Sequence, residues 1–503
     1  MNRPCAVDVM SPDAVAEQIA DGSVITVSGL VGSLVPDALL RAVRALFDRT
    51  RHPLGLTAVC PVAVGDIYDI PGLDHLAHPD LLTAVVSGSY VYGRRPANGL
   101  EPELTRLILE DRIQAYNFPI GVIFGALREI AAHRPGLITR VGIGTFQDPR
   151  VRGGRLNETS RPAYVSVVSL GDEEYLWYRL PRPDVALLRA TTADEYGNVS
   201  AEHEVVDSGL LVQATAAHNS GGRVFVQVAR LVEGGSIPAR HVVIPGVLVD
   251  GIVVAEQEQQ ATGVAYDPFL SGELRAPEGT TAPHLEPHER LILHKAAQRL
   301  RYGDLVILGF GIPSKLADLD DLPDGVRLTV EHGAIGGRPS GGLQFGGARN
   351  AEALVDTPSY FDFIDGGGCD VACLGFAEVD ARGSVNVSRL PSALPGSGGF
   401  TNITASTKRL LFCGSFTAGG VQVEVEGSRV TIAREGRVKK FVQRPRELTF
   451  AAGMQPGQEV VFVTDRCILE RVEDSLVVTE VYDGVDFDRD IAAQAEFPLV
   501  LRG

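Results

Sequence analysis

Long apolar runs are missing from this chain of 503 residues. No stretch approaches the roughly 18 uninterrupted apolar residues that a transmembrane helix needs. The first residues, from Met1 to Asp13, also lack the positive region and apolar run that mark a signal peptide. We therefore expect a cytoplasmic protein with no membrane partner.

Positive charge is scarce as well, because the formal net charge is −17. Nucleic acids and anionic membranes bind basic faces, so we expect neither as a partner. A small anionic ligand needs only local cations, and Arg338 and Arg349 are available for one. The neighbouring Lys439 and Lys440 are expected to lie in a solvated surface turn.

Metal and disulfide patterns are absent too. The six cysteines are scattered, with no C-x-x-C pair and no histidine at ligand spacing, which predicts buried thiols. Only His284 and His288 have H-x-x-x-H spacing, and the adjacent prolines Pro283 and Pro287 oppose the helix that such a metal site needs. We expect no bound metal.

The common catalytic signatures are also missing. There is no G-x-S-x-G elbow and no G-x-x-x-x-G-K-[ST] loop, so neither a typical serine hydrolase nor a P-loop enzyme is supported. Gly309 and Gly311 follow an apolar run, but the third glycine of a dinucleotide-binding loop is absent and Pro313 interrupts the segment.

The pattern that is present is that of an α/β protein. The segment 23–27 predicts a buried strand, 29–35 a glycine loop, and Pro36 the start of a helix with one apolar face. The segment 304–308 repeats the strand far downstream, again followed by glycine.

A second repeat indicates duplication. The segments Asp184 to Val199 and Asp370 to Val385 share seven identical positions at one constant offset. At the same offset, the apolar segment 223–228 lies over 409–414. Because unrelated strands do not keep register over such a distance, the sequence predicts two similar open α/β halves in one chain.

The proposed domain bounds follow from this repeat. Residues 1–265 form the first half, with a helical insertion at about 50–150 that includes a helix over 122–132. The proline-rich segment 266–288 is a linker, and 289–503 form the second half. Alternating valines over 421–432 predict a hairpin in a β-rich C-terminal tail.

Glu331 is the best lead to function. It ends an apolar segment and is followed by seven glycines before position 348. Such a loop permits close backbone approach to a ligand, so Glu331 is a candidate nucleophile. An ordinary strand-end acid beside a glycine-rich turn is the alternative. His332 would point to the opposite face if the strand continued.

A second glycine knot spans Pro395 to Phe400. Successive N–H groups in such a segment can receive a developing oxyanion, although a plain tight turn has the same composition. We expect both glycine loops in one α/β unit, where loops at the carboxyl ends of parallel strands meet.

Several motifs together resemble the family I coenzyme A transferases, in particular the fused single-chain acetate and propionate CoA-transferases. The motifs span nearly the full length and occur in the right order. They are 115–121, 133–139, 144–149, 266–272, 331–339, 350–356, 361–368, 396–400 and 416–420, with a looser match at 486–494.

The resemblance implies that Glu331 attacks an acyl-CoA thioester and then carries CoA as a glutamyl thioester until a carboxylate accepts it. It implies that the Gly398 and Gly399 amides receive the oxyanion, with Val31 from the first half. It also implies a homo-oligomer, dimer or tetramer, in short-chain fatty acid metabolism. According to this resemblance, coenzyme A is a substrate, and no permanently bound cofactor is expected.

The substrate pocket candidates are His332, Arg349 and Asn117. Relatives more often have serine or asparagine at the position of His332 and tyrosine at that of Arg349. These two differences are therefore expected to affect which acid the protein accepts. Arg349 can pair with a second carboxylate or simply face solvent. An acyl-CoA hydrolase using the same glutamate and a catalytically silent CoA-binding protein are the alternative functions.

Overall fold

The computed structural model describes residues 6–96, 98–255, 259–277 and 285–502. The chain divides into two compact units. Unit 1 comprises Met1–Arg275, Leu354–Tyr360 and Ser392–Gly399, and unit 2 comprises Ala276–Ala353, Phe361–Pro391 and Phe400–Gly503. The expected linker 266–288 falls partly outside the described residues, at 278–284, as does His284. The predicted domain bounds stay a prediction.

Unit 1 is built from five helices and twelve strands within its described residues. The helices are α1 (Pro12–Ala16), α2 (Asp37–Thr50), α3 (Glu103–Leu109), α4 (Ile120–Ala131) and α5 (Leu210–Asn219). The first strands are β1 (Val24–Val27), β2 (Leu56–Cys60), β3 (Leu82–Ser87), β4 (Gln114–Asn117), β5 (Leu137–Thr139) and β6 (Val165–Leu170). The others are β7 (Glu173–Tyr178), β8 (Val185–Asp194), β9 (Val199–Ser200), β10 (Arg223–Val232), β11 (Val242–Ile244) and β12 (Gly251–Val254).

Seven of these strands form a parallel sheet in the order β4-β3-β2-β1-β8-β10-β12. The chain winds outward from β1 in one direction and from β8 in the other, so the β1/β8 boundary is a topological switch point. All ten residues of β8 are buried, as expected of a strand covered on both faces.

The predicted first strand and helix are confirmed as β1 and α2. The apolar face of α2, at Leu39, Leu40, Val43 and Phe47, is buried in the core. The prediction for 50–150 was incomplete, because this stretch holds α3 and α4 but also β2, β3 and β4 of the sheet. Short buried strands have no period that separates them from helices in sequence.

Unit 2 contains α6 (Pro287–Ala297) and α8 (Phe400–Ser406), and α7 (Thr357–Asp365) crosses a unit boundary. Its central strands are β13 (Leu305–Leu308), β14 (Arg327–Thr329), β15 (Ala334–Ile335), β16 (Arg338–Pro339), β17 (Ala348–Arg349), β18 (Ala353–Leu354) and β19 (Val371–Leu374). The next are β20 (Glu378–Val379), β21 (Val385–Asn386), β22 (Arg409–Cys413), β23 (Thr417–Ala418), β24 (Gln422–Glu426) and β25 (Arg429–Arg434). The last are β26 (Val438–Lys439), β27 (Glu459–Val463), β28 (Cys467–Val472), β29 (Ser475–Val481) and β30 (Val500–Leu501).

The sheet of unit 2 repeats the winding of unit 1. Its parallel part has the order β14-β13-β19-β22-β27, with a switch point between β13 and β19. Strand by strand, β13, β14, β19, β22 and β27 take the places of β1, β2, β8, β10 and β12. The predicted pair of similar α/β halves is confirmed, and the repeated sequence segments are β8 with β19 and β10 with β22.

The repeated aspartate and glycine have the same structural cause in both halves. Oδ1 of Asp194 accepts the N–H groups of Tyr196 and Asn198 at 2.9 and 3.0 Å. Oδ1 of Asp380 accepts the N–H groups of Arg382 and Ser384 at 2.9 and 2.8 Å. Gly197 and Gly383 supply the left-handed residue of each turn, with φ of 81° and 84°.

The C-terminal part is rich in β-structure, as predicted. The strands β24 and β25 form an antiparallel hairpin around Gly427. The strands β28 and β29 then extend the main sheet with antiparallel pairing.

The expectation of a solvated lysine pair is half wrong. Lys439 ends β26 and is exposed, whereas Lys440 is buried, with its Nζ donating to the Ser415 carbonyl at 2.9 Å over the Phe376 ring. Burial lowers the pKa of Lys440 to about 7. Successive residues of an extended segment point to opposite faces, which separates the two lysines.

Across the residues that the structure describes, no helix is long and apolar enough to span a membrane.

The duplicated turn can be tested by Asp380→Ala. This change removes two hydrogen bonds to backbone N–H groups, so we expect it to lower the free energy of unfolding by about 1–2 kcal/mol. Chemical denaturation gives the value. Asp172→Ala, in the exposed turn between β6 and β7, is the control. Equal losses in the two variants would contradict the assignment.

Candidate active site

Glu331 lies in a tight turn at the carboxyl end of β14. The turn closes because Thr329 pairs with Ile335, and because the Gly333 N–H donates to the Val330 carbonyl at 3.2 Å. Gly333 has φ of 105°, which a residue with a side chain rarely adopts. The strand therefore ends before Glu331, and the glycine that follows reverses the chain.

The turn brings Glu331 and His332 together. His332 Nε2 lies 3.4 Å from Glu331 Oε1, and the two side chains are only 4% and 14% exposed. Burial lowers the pKa of His332 to about 3, so its imidazole is neutral at neutral pH. The expectation that His332 points away from Glu331 fails, because it assumed that the strand continues through this position.

Two glycines after Glu331 are required by the loop itself. A Cβ on Gly337 would come within 2.4 Å of the Arg349 carbonyl oxygen, and one on Gly336 within 2.6 Å of the Glu352 side chain. Both have positive φ, at 67° and 71°. These glycines let the β16–β17 ribbon fold back on the turn, so not all of the run is left to face a ligand.

The two arginines of this loop pair in register, Arg338 with Arg349, across β16 and β17. Arg338 forms an ion pair with Asp318 at 2.7 Å. Arg349 is partly buried. Its role toward a second carboxylate stays a prediction.

Val31 lies in the loop after β1, beside the switch point of unit 1. Its φ is 54°, a left-handed conformation that is strained for a β-branched residue, and its side chain is exposed. The Val31 N–H donates to the Ala63 carbonyl at 2.8 Å, and the Val31 carbonyl accepts from Gly65 N–H at 2.8 Å. The Val31 N–H therefore already has a hydrogen-bond acceptor in this structure.

Residues 395–399 of the glycine knot belong to unit 1, so the expectation that the knot shares a unit with Glu331 is wrong. Three backbone hydrogen bonds fix it there. The Gly398 N–H donates to the Gly88 carbonyl at 2.8 Å, and the Tyr90 N–H donates to the Pro395 carbonyl at 3.0 Å. The Gly398 carbonyl accepts from the Ile120 N–H at 3.0 Å.

The three predicted oxyanion donors therefore differ. Gly398 and Val31 have amides bonded to carbonyls of their own unit. For Gly399, no acceptor of its N–H is found among the described residues. Of the three predicted donors, Gly399 is therefore the one whose N–H has no backbone acceptor among the described residues.

Asn117 does not line an open surface. It ends β4, is 0% exposed, and its side-chain amide is engaged with the backbone of unit 1. Sequence reasoning grouped it with the substrate pocket and missed Gly88 and Tyr90, which hold the knot. No sequence signal links residues so far apart along the chain.

The cysteines are free and buried, as predicted, at Cys60, Cys369, Cys373, Cys413 and Cys467. Cys5 lies outside the described residues. Within the described ranges, no group of three or more His, Cys, Asp or Glu side chains is placed to hold a metal ion.

Each half of the duplicated α/β fold thus carries one candidate loop, the Glu331 turn in unit 2 and the glycine knot in unit 1. The coenzyme A transferase family model matches residues 9–255. Together with a full-length relative more than 30% identical, this shows that the chain belongs to the coenzyme A transferase family, in its fused single-chain form.

Two relatives align over almost the whole chain. The acetate CoA-transferase YdiF of Escherichia coli K12 is 36% identical over 98% of this chain and 93% of its own. The caffeate CoA-transferase of Acetobacterium woodii is 39% identical over 97% of this chain and 94% of its own. The chain is therefore an enzyme that transfers CoA between an acyl-CoA and a carboxylate.

Crystal structures of the acyl-CoA transferase YdiF of E. coli O157:H7 match the fold. The apoenzyme superimposes with a TM-score of 0.90 at 35% identity, covering 99% of this chain and 95% of that one. A structure described as a thioester complex with CoA gives 0.88, with the same identity and coverage.

The strain at Val31 predicts an unusual response to glycine. We expect Val31→Gly to leave the melting temperature unchanged or raise it, because relief of the left-handed strain, about 1–2 kcal/mol, offsets the entropy cost of glycine. Val247→Gly, at an exposed valine with negative φ, should lower it. Thermal unfolding of both variants decides, and a parallel fall would argue against strain.

The neutral state of His332 predicts a pH effect on stability. Between pH 6.5 and 3 the unfolded chain binds a proton that the folded protein does not, so this contribution is complete above pH 6.5 and is lost as pH falls. When the pH falls from 6.5 to 5, we expect the free energy of unfolding of His332→Asn to fall by about 2 kcal/mol less than that of wild type. Denaturant titrations at both pH values measure the difference.

The control for this effect is His241→Asn, at an exposed histidine. It should follow wild type over the same range. If His332→Asn also follows wild type, His332 is not held neutral by burial.

Proposed function

We propose that Glu331 is the nucleophile of a ping-pong transfer of CoA through a glutamyl-CoA thioester. The observation that carries the proposal is the carboxylate itself, which is largely shielded and is held in the turn at the carboxyl end of β14. A thioester complex with CoA, described for a relative of 35% identity, supports it. Family membership gives the class of reaction, and the proposal adds the residue and the intermediate.

The proposed chemistry proceeds in balanced steps. A Glu331 carboxylate oxygen attacks the thioester carbonyl, the C–S bond breaks, and a mixed anhydride and CoA thiolate result. The thiolate then attacks the glutamyl carbonyl and displaces the original acid as its carboxylate. An incoming carboxylate reverses both steps, so the new acid leaves as its CoA thioester and Glu331 is regenerated.

Each attack places negative charge on a carbonyl oxygen, which needs a donor that is fixed in advance. We assign this role to the Gly399 N–H, because the amides of Gly398 and Val31 already donate to Gly88 and Ala63. Gly398 and Val31 then act by fixing the loop rather than by direct donation. Loss of one oxyanion donor typically costs about a hundredfold or more in rate.

The surroundings of Glu331 suit an intermediate that water would destroy. The anhydride and the enzyme thioester both hydrolyse unless water is kept away. The buried His332 at 3.4 Å contributes a neutral side chain, so it adds no charge that would tie up the carboxylate as an ion pair.

For the acid, we propose a short-chain carboxylate of the acetate or propionate type. The relatives are named for acetate in one case and caffeate in the other, so acid length varies within the family. A role of Arg349 toward a second carboxylate would shift the preference to a dicarboxylate. A panel of acetate, propionate, butyrate, caffeate and succinate as acceptors tests this assignment. The cytoplasmic location and the homo-oligomer stay predictions.

The test of the nucleophile is a mass measurement. Wild type incubated with acetyl-CoA alone should gain the mass of one CoA less one water, because the first half-reaction needs no acceptor and one oxygen of Glu331 leaves in the acetate. Glu331→Gln removes the nucleophile, so the adduct should disappear and the transfer rate should fall by about a thousandfold or more.

Glu352→Gln is the matched control, since Glu352 is an exposed acid of the same loop, paired with Arg327 at 3.0 Å. It should form the adduct as wild type does. An adduct that persists in Glu331→Gln would overturn the proposal. Steady release of acetate without an acceptor would instead favour the acyl-CoA hydrolase.

A further inference from the structure

Asn117 makes the most complete set of contacts around the glycine knot. Its Nδ2 donates to the carbonyls of Ser87 and Gly88 at 2.8 and 2.7 Å, and its Oδ1 accepts the Ser397 N–H at 2.8 Å. The side chain is 0% exposed. The backbone N–H of Asn117 is itself anchored to the Gly154 carbonyl at 2.8 Å.

The amide bridges two segments that are remote in sequence. It reaches 29 residues back to Gly88 and 280 residues forward to Ser397. Gly396 makes this approach possible, because a Cβ there would come within 2.6 Å of Asn117 Nδ2. The glycine at 396 thus serves the bridge, and its φ of 80° turns the chain at the same point.

The bridge also acts on the next peptide of the knot. The Gly88 carbonyl accepts both Asn117 Nδ2 and the Gly398 N–H. Asn117 therefore holds the acceptor that fixes Gly398, while its Oδ1 holds the residue before it. Asn117 thus fixes the two residues before Gly399, and the Gly398 carbonyl, which shares a peptide with the Gly399 N–H, accepts from the Ile120 N–H at 3.0 Å. Together these bonds set the direction of the Gly399 N–H.

We propose that Asn117 is a positioning residue that orients the Gly399 N–H for the transferred thioester carbonyl. The inference rests on the proposed function, since it takes Gly399 as the oxyanion donor. Asn117 acts through the knot and does not touch the substrate, which replaces its expected place in the substrate pocket. Buried polar networks of this kind give a single loop conformation because every lost bond leaves a polar group unsatisfied.

Unit 1 offers a matched control at Asn157. Its Nδ2 also donates to two carbonyls, those of Ile108 and Ile113, each at 2.9 Å. Its Oδ1 accepts the N–H of a serine, Ser160, at 3.2 Å, and it is 8% exposed. The two asparagines thus make nearly the same bonds, and only Asn117 makes them to the knot.

The experiment compares Asn117→Ala, Asn117→Asp and Asn157→Ala in the full-length protein. Melting temperature, kcat and KM for acetyl-CoA with propionate as acceptor, and the rate of CoA adduct formation are measured for each. We expect both alanine variants to melt at lower temperature. Only Asn117→Ala should lose about a hundredfold in kcat and in adduct formation, with KM changed by about threefold at most.

Asn117→Asp retains an acceptor for the Ser397 N–H but places a carboxylate oxygen against the Ser87 and Gly88 carbonyls, so its kcat should fall at least as far as that of Asn117→Ala. This variant is isosteric and carries the test if Asn117→Ala does not fold. A kcat for the Asn117 variants equal to that of Asn157→Ala, or an effect on KM alone, would overturn the inference. If wild type itself forms no CoA adduct, the proposed function fails instead, which separates the two results.

Discussion

Parallel strand pairing is the constraint on which the rest of this structure depends. In each half, the central part of the sheet is a run of parallel strands, seven in unit 1 and five in unit 2, so the loops that follow these strands collect at one edge. The chain reverses its winding between β1 and β8 and again between β13 and β19, and in open α/β sheets ligands bind at such switch points. The Val31 loop follows β1, and the Glu331 turn follows β14. Both candidate loops owe their places to this winding rather than to local sequence.

Glycine has a different task in each loop. Gly333 reverses the chain after Glu331, and Gly337 lets the backbone at Arg349 pass close by. In the knot, Gly396 makes room for Asn117. In the knot, the N–H groups of Ser397 and Gly398 both have acceptors within unit 1, whereas none is found for Gly399 among the described residues. An oxyanion site needs such pre-set geometry, since a donor that must reorganise during the reaction stabilises the transition state less.

The sequence predicted the fold well where a pattern repeats and poorly where a single residue decides. The duplication followed from the Asp–Gly turns at Asp194 and Asp380, which both halves use in the same way. The strands between 50 and 150 were missed because short buried strands lack a distinctive period. The burial of Lys440 was missed because the face to which a residue of an extended segment points can be assigned only when the bounds of that segment are known. Glu331 was selected as a candidate because seven glycines follow it closely and because the family motifs include it, and its role as nucleophile stays a proposal.

By itself the sequence determined the two α/β halves, because a repeat at constant offset shows them. It also determined the family and the best candidate nucleophile, because both depend on local motifs. Tertiary structure alone decided that residues 392–399 join unit 1 and that Asn117 is buried against them. It also decided that the N–H groups of Val31 and Gly398 donate to backbone carbonyls. The physical reason is that hydrogen bonds between distant segments depend on which loops the sheet brings to one edge. Of the three amides that the motifs suggested, the fold leaves only that of Gly399 without an acceptor among the described residues.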